Sequence, residues 1–471
     1  MKNWPGVAAV EPDLPIEFFQ EPAEREVISL DDEGTEPGLK NIRAPEVWDL
    51  GITGAGVLVS HLDGGVNGSH PALFGRWRGS YGYPASACWL DLLGTTTVPT
   101  DNSGHGTHTM GIILGMVPGD TIGVAWGARY ISVRLNMTSG VSLISSALTG
   151  FQWLLDPDGN PATFDDVPRL VSNSWGLEAA AYPPCYSVFD IAINNCEAAG
   201  IAAFFAAGNE GSSGETIRIP AARAESIVNG FAVGAYDRIA DSIWASSSRG
   251  PTPCSSDPQL EIKPEVVAPG RSVRSAWTGT AYQTLSGTSF SVAHAAGTAA
   301  LMLEANPELT ADSLKKILLL TAVDKGVPGE DNTYGTGRID AYTAVLGALG
   351  GIGWIEGYVS DAFGYGVESE ITFDDHPHHI HTDLAGHFVI AMPAQMPLQM
   401  HVNASTFIPH STILLLTPGD TLDYSVTLQL EPNAGILTGT VINCFGSGAD
   451  SARVWLPSAG VPEVLTNSQG W

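Results

Sequence analysis

The chain is short of basic residues. Lys and Arg number 21 against 50 Asp and Glu, for a formal net charge of −29. A surface of that sign repels phosphate backbones and anionic headgroups, which argues against nucleic acid or an anionic membrane as partner. Long apolar runs are missing too. The longest, residues 198–208, is too short to span a bilayer and reads as a buried strand. Cysteine is scarce. Cys88, Cys185, Cys196, Cys254 and Cys444 include no Cys-x-x-Cys pair, so a zinc or thioredoxin-like site has no support. The odd count leaves at least one thiol unpaired. Cys185 and Cys196 flank a helix-like segment and are the candidate bridge, against the alternative of five small buried hydrophobes. Charged residues of both signs make up only 15%, yet 44% apolar residues, 54 Gly and 31 Pro describe a loop-rich globular chain and not a disordered one. A length of 471 residues predicts two to four domains.

Against these absences stands one stretch with a chemical purpose, Leu285-Ser286-Gly287-Thr288-Ser289-Phe290-Ser291-Val292-Ala293-His294. A serine in a glycine-and-hydroxyl turn, followed by an apolar run from Ala295 to Ala305, is how a nucleophile is mounted at a helix N-terminus. Serine needs a positioned base. Val57 to Leu62 reads as an apolar strand ending on the carboxylate of Asp63, and Asn102 to His108 sets His105 among small residues. Phe204 to Gly208 reads as a buried strand ending on the amide of Asn209. Singly, Asp63 would cap a turn, His105 would be a core histidine and Ser289 an N-cap. Together they supply acid, base, oxyanion donor and nucleophile. An esterase elbow around Ser289 fails because position 291 is Ser and the acid and base precede the nucleophile.

The order Asp63, His105, Asn209, Ser289 and the residues around each resemble the subtilisin-like serine proteases, whose triad runs in that order. Further matches are Ile122-Gly123-Val124-Ala125, Lys263 to Gly270 and Tyr334 to Ala341, so the resemblance covers about residues 40–350. Gln152 to Pro157 and the Trp-bearing Asn173-Ser174-Trp175-Gly176 look closest to the bacillopeptidase F branch. Three positions depart from the usual pattern: Phe290, Ala293, and Leu177 where many members have glycine. The last puts in question how closely a peptide backbone can approach there.

Strand patterns (57–62, 130–134, 170–173, 201–206, 227–233) alternate with helix patterns (105–116, 141–155, 187–199). Such alternation predicts an α/β, doubly wound, mostly parallel sheet with helices on both faces and its site beyond the carboxyl ends of the strands. Residues 1–38 are acidic and poorly periodic, and residues 6–13 resemble the last strand of a subtilisin-type propeptide. The expected domains are therefore a propeptide remnant or N-terminal arm (1–38) and a catalytic domain (39–350). Gly350 to Gly353 reads as a hinge. Beyond it, Gly357-Tyr358-Val359 with Phe363-Gly364 matches Gly439-Thr440-Val441 with Phe445-Gly446, an offset that marks tandem small domains. These resemble carboxypeptidase-regulatory-like β-sandwiches, one over 351–432 and a second, unfinished one over 433–471. In a strand His379 and His381 would share a face, but the run also reads as an exposed turn and no Cys or third histidine joins them at ligand spacing, so no metal site is assigned.

The resemblance implies a secreted serine endopeptidase whose leader lies upstream of Met1. Asp63, His105 and Ser289 would be catalytic, Asn209 would serve the oxyanion, and Ser174, Trp175, Gly176, Ala207 and Gly208 would line the cleft. It requires no cofactor and is compatible with structural calcium. Partners would be protein or peptide substrates, with the C-terminal domains binding a surface or substrate. The competing reading is an inert subtilisin-like domain used for attachment.

Overall fold

A computed structural model describes residues 13–19, 34–136, 141–177, 185–374 and 376–432, with the short strands 453–454 and 464–465. An eight-stranded sheet forms the first body. Its order is Ser242–Ile243, Phe231–Asp237, Ala202–Ala206, Leu170–Asn173, Leu58–Asp63, Arg129–Arg134 and Trp89–Asp91, with Val266–Pro269 also paired to Phe231–Asp237. All pairings are parallel except that of Ser242–Ile243. The expected strand at 227–233 begins only at Phe231, because Ser226 Oγ accepts from the backbone N–H groups of Val228 and Asn229 and holds a turn there.

Strand alternation divides the apolar side chains between two clusters. Ala202, Phe204 and Ala206 join one, and Ala203, Phe205 and Ala207 the other. The helices His105–Leu114, Thr288–Ala305, Ala311–Leu320 and Ala341–Gly350 pack into the first cluster; Ile144–Leu154 and Asp190–Ala198 pack into the second. Thr288–Ala305 is buried on every side until its last turn, which explains an apolar pattern with no polar stripe. Such burial needs small residues: a Cβ on Gly297 would lie 2.6 Å from Val124 Cβ.

Two expectations are corrected. Cys185 bridges Cys254, with Cα atoms 5.1 Å apart, while Cys196 is a buried free thiol packed in the second cluster. Cys196 faces inward from its helix and cannot meet Cys185 at the exposed start of that segment. The Gly350–Gly353 stretch is no flexible exit. The helix runs to Gly350 and the strand Ile352–Ser360 starts two residues later, with Ile352 buried in the first cluster and Trp354 packed against it. The glycines are there for close approach. A Cβ on Gly350 would meet Ala394 O at 2.4 Å, and Gly351 sits at φ +80° against Pro418.

Beyond Gly351, two four-stranded sheets share one apolar cluster. One is built on Ile352–Ser360 with His387–Pro393, Thr421–Asp423 and Val426–Thr427; the other runs His376–His381, Glu370–Phe373, Pro397–Asn403, His410–Leu415. Alternate residues Leu398, Met400 and Val402 point into that cluster. The second sandwich expected over 433–471 lies outside the described residues, save for Arg453–Val454 paired antiparallel with Val464–Leu465. The propeptide-like stretch 6–13 likewise lies outside them except for Asp13.

Because Ile352 and Trp354 bridge the two bodies, we expect a chain ending at residue 350 to fold but to melt several degrees below the full chain. An unchanged melting temperature by circular dichroism would show that the two bodies do not stabilise one another. Burial also predicts an acid response. It holds His61 and His294 down to about 4 and His108 to about 3, so their neutral rings stabilise the fold fully above about 6.5 and lose that contribution as pH falls toward the folded values. Glu36 and Glu265, pushed by burial up to about 7, act oppositely between about 4.5 and 7. Each histidine is worth about 1.4 kcal/mol per pH unit. The urea midpoint should therefore fall below pH 6.5, most steeply below 4.5, and His294→Gln should make that fall shallower.

Candidate active site

Asp63 ends the strand Leu58–Asp63, beside the neighbour at which strand order reverses. Its Oδ1 accepts from Gly64 N at 2.7 Å and lies 2.7 Å from His105 Nδ1; Oδ2 accepts from Thr109 Oγ1 at 3.4 Å. Both side chains are buried. A buried carboxylate on Nδ1 leaves Nε2 as the working edge of the ring.

Glycine makes this approach feasible. A Cβ on Gly106 would lie 2.1 Å from Gly65 O and 2.9 Å from Asp63 Oδ1, so only glycine lets the helix start against that strand. Gly104 caps the helix at φ +92°, with Trp277 filling the space a Cβ would need. Asp101 ties the loop: Oδ1 accepts from Ser103 N and Gly104 N at 2.8 and 2.9 Å, and Oδ2 from Thr107 N and Oγ1 at 2.9 and 2.7 Å. The sequence reading missed Asp101, although Asp-Asn-Ser-Gly ahead of a helix is a capping signal.

Ser289 is the second residue of Thr288–Ala305, fully buried, and its hydroxyl makes no hydrogen bond among the described residues. Thr288 links it to Asn209. The Asn209 Oδ1 accepts from Thr288 N at 3.0 Å and Thr288 Oγ1 at 2.9 Å, and Thr288 Oγ1 accepts from Gly208 N at 3.2 Å. These bonds fix the carbonyl end of the amide. Thr288 was likewise missed; only the fold brings residue 209 to it.

The cleft residues divide. Ser174 Oγ donates to Ser289 O at 3.2 Å. Trp175 turns its indole into the second cluster, edge-on to Phe189 at 5.3 Å, and offers only backbone to the cleft. Gly176 has no room for a side chain, since a Cβ would meet Phe19 Cζ at 2.8 Å and Ile219 O at 3.0 Å. Ala207 is buried, and its carbonyl accepts from Arg218 N at 3.0 Å. Gly208, at φ +115°, leaves space that the Arg218 side chain occupies.

The cleft holds a segment of the chain itself. Pro15–Phe18 lies antiparallel between Val141–Leu143 and Trp175–Leu177, with Ile16 opposite Leu177, Glu17 opposite Gly176 and Phe18 opposite Trp175. Leu177 thus does not prevent close backbone approach. The Phe18 ring stacks on His105 with centroids 4.3 Å apart, while Ile16 and Phe19 are buried in the two clusters. Asp13 completes the seat by accepting from Ser145 N and Oγ at 2.9 and 2.6 Å, a cap for the helix Ile144–Leu154 that its own Leu143 does not supply.

Asp156, Asp158 and Asp166 bring one oxygen each within 4.8 Å of one another, and the buried Oδ1 atoms of Asp156 and Asp166 have no hydrogen-bond partner. These are hard donors of the kind calcium takes. His376–His381 forms a strand, but the side chains of 377–379 lie outside the described residues.

A model of the subtilase family matches residues 54–337. Bacillopeptidase F of Bacillus subtilis (strain 168) is 35% identical over 363 residues, which is 73% of this chain and 24% of that protein. Serine protease AprX of the same strain is 32% identical over 350 residues, 69% of this chain and 73% of that one. Subtilisin BL of Lederbergia lenta is 31% identical over 310 residues, 65% of this chain and 97% of that one. The chain thus spans about a quarter of Bacillopeptidase F and most of the shorter relatives. With that match, and with the acid, histidine, amide and serine gathered at one end of its parallel sheet, the chain belongs to the subtilase family of subtilisin-like serine peptidases.

Proposed function

We propose that this chain is a secreted serine endopeptidase acting through an acyl-enzyme. The observation that carries the reading is a peptide already seated in the cleft, strand-paired on both sides with a ring on the His105 imidazole. Continuing its register puts Phe19 opposite Ser174, whose hydroxyl touches the Ser289 backbone. On this reading the nucleophile would lie beside the carbonyl of Phe19. In the proposed reaction Ser289 Oγ attacks a substrate carbonyl in that position while His105 Nε2 takes the proton. The resulting imidazolium is stabilised by Asp63. The Asn209 amide and the Ser289 backbone N–H hold the oxyanion, and His105 returns the proton to the leaving amine. Water then releases the acyl group by the same steps.

Ser174, Trp175 and Gly176 would bind substrate mainly through backbone, and Ala207 and Gly208 would support Asn209 and Arg218. The acyl-transfer chemistry calls for no cofactor; a structural calcium ion would find its donors at Asp156, Asp158 and Asp166. Secretion is supported by the Cys185–Cys254 disulfide, a bond that persists in oxidising compartments. Residues 1–38 are read as a propeptide remnant and 351–432 as a carboxypeptidase-regulatory-like sandwich that carries the enzyme to a surface or substrate.

A fluorophosphonate probe tests the reading. We expect the full chain to be labelled at Ser289, and Ser289→Ala to lose both labelling and hydrolysis while keeping its circular dichroism; equal turnover by the mutant would refute the triad. Asn209→Ala should lower kcat by about 10²–10³ with little change in KM, a magnitude that is the known value for subtilisin itself and not one computed from this structure. A variant that loses affinity and keeps kcat would make Asn209 a structural residue.

A further inference from the structure

The segment in the cleft also shows what the cleft reads. Along an extended strand side chains alternate, so Ile16 and Phe18 face one way and Glu17 and Phe19 the other. Arg218 waits on the second side. Its Nη2 is 2.6 Å from Glu17 Oε1, and its Cζ lies 5.9 Å from the Phe19 ring centroid.

Arg218 is built into the site. Its backbone N–H donates to Ala207 O, two residues before Asn209, and its carbonyl accepts from Ala222 N at 2.9 Å. Its Cγ fills the space left by Gly208, where a Cβ would approach to 2.6 Å. The side chain is only 7% exposed. Besides Glu17, the carboxylate facing it is Glu210, whose Oε1 lies 3.7 Å from Nε, and Nε makes no hydrogen bond. Once the segment leaves, Glu210 at 3.7 Å is the remaining counter-charge among the described residues, and the closer carboxylate at 2.6 Å is lost. A cation set in the cleft wall that has lost its nearer partner favours a peptide that brings a carboxylate there.

We propose that Arg218 is a specificity-determining residue that selects peptide substrates with an acidic side chain two residues before the one that donates the scissile carbonyl. The inference rests on the protease reading and on the register that puts Phe19 at the scissile position. It runs against the overall field of the molecule. A chain of net charge −29 repels acidic peptides, so a preference for one acid at one position requires a local cation.

The test uses the full-length protein and quenched peptides Pro-Ile-X-Phe-Phe-Gln with X = Glu, Gln or Lys, competed in pairs. The ratio of kcat/KM values within one tube does not depend on how many sites are still filled by residues 13–19. We expect Glu over Gln by about tenfold, since the pair is charge-assisted but the carboxylate is one-third exposed. Lys should come last, and moving Glu to the Ile position should bring no gain. Arg218→Gln should abolish the Glu/Gln ratio, and Arg218→Glu should turn the preference to Lys. Equal cleavage of all three peptides by the wild type overturns the proposal while leaving the protease reading intact. A Glu preference that survives Arg218→Gln overturns it as well. Cleavage of none would refute the protease reading and this inference with it. Should the variants fail to fold, the wild-type ratio decides alone.

Discussion

The site depends on one short contact, 2.7 Å between Asp63 and the Nδ1 of His105. It joins the end of a central strand to the first residue of a helix, two elements whose backbones ordinarily stand too far apart for so short a side-chain bridge. Gly106 removes the side chain that would press on Gly65 O and Asp63, and Asp101 uses both its oxygens to hold the intervening loop. Burial then does the electrostatic part: with water excluded, the carboxylate orients the ring more firmly than an exposed partner would.

Thr288 plays the matching role on the other side of the cleft. It fastens the carbonyl end of Asn209 and accepts from Gly208 N, so the loop after Ala202–Ala206 is tied to the start of Thr288–Ala305. The proposed oxyanion donors therefore come from two segments far apart in sequence, Asn209 and the Ser289 backbone, whose relative placement is set by three hydrogen bonds and the close packing around them. Preorganisation of that kind costs nothing at the moment of reaction.

Residues 13–19 turn the cleft from an inferred groove into an occupied one. Two buried side chains, strand pairing on both edges and a capping carboxylate hold the segment, and its Glu17 pairs with the cation at Arg218. Ile16 and Phe19 take the apolar positions, in keeping with a cleft whose recognised stretches carry no charge. Arg218 escaped the sequence reading for a simple reason. It lies outside those stretches, in Thr216-Ile217-Arg218-Ile219, where nothing in its surroundings marks it as part of the cleft.

By itself the sequence determined the parts that depend on local pattern. Alternating apolar strands and helices, the small residues around His105 and the apolar helix after Ser289 specified the parallel sheet and the four side chains at its carboxyl end, because periodicity and backbone permissiveness are local properties. Tertiary structure alone decided the rest. Cys185 meets Cys254 and not Cys196 because the first lies at the surface and the last faces the core. Trp175 offers backbone where its ring seemed the obvious feature, because the second cluster has room for an indole. The glycines at 350 and 351 permit contact and not flexion, because Ala394 and Pro418 press against them. Thr288 and Arg218 acquire their partners only when distant segments are packed together, and no spacing along the chain encodes that meeting.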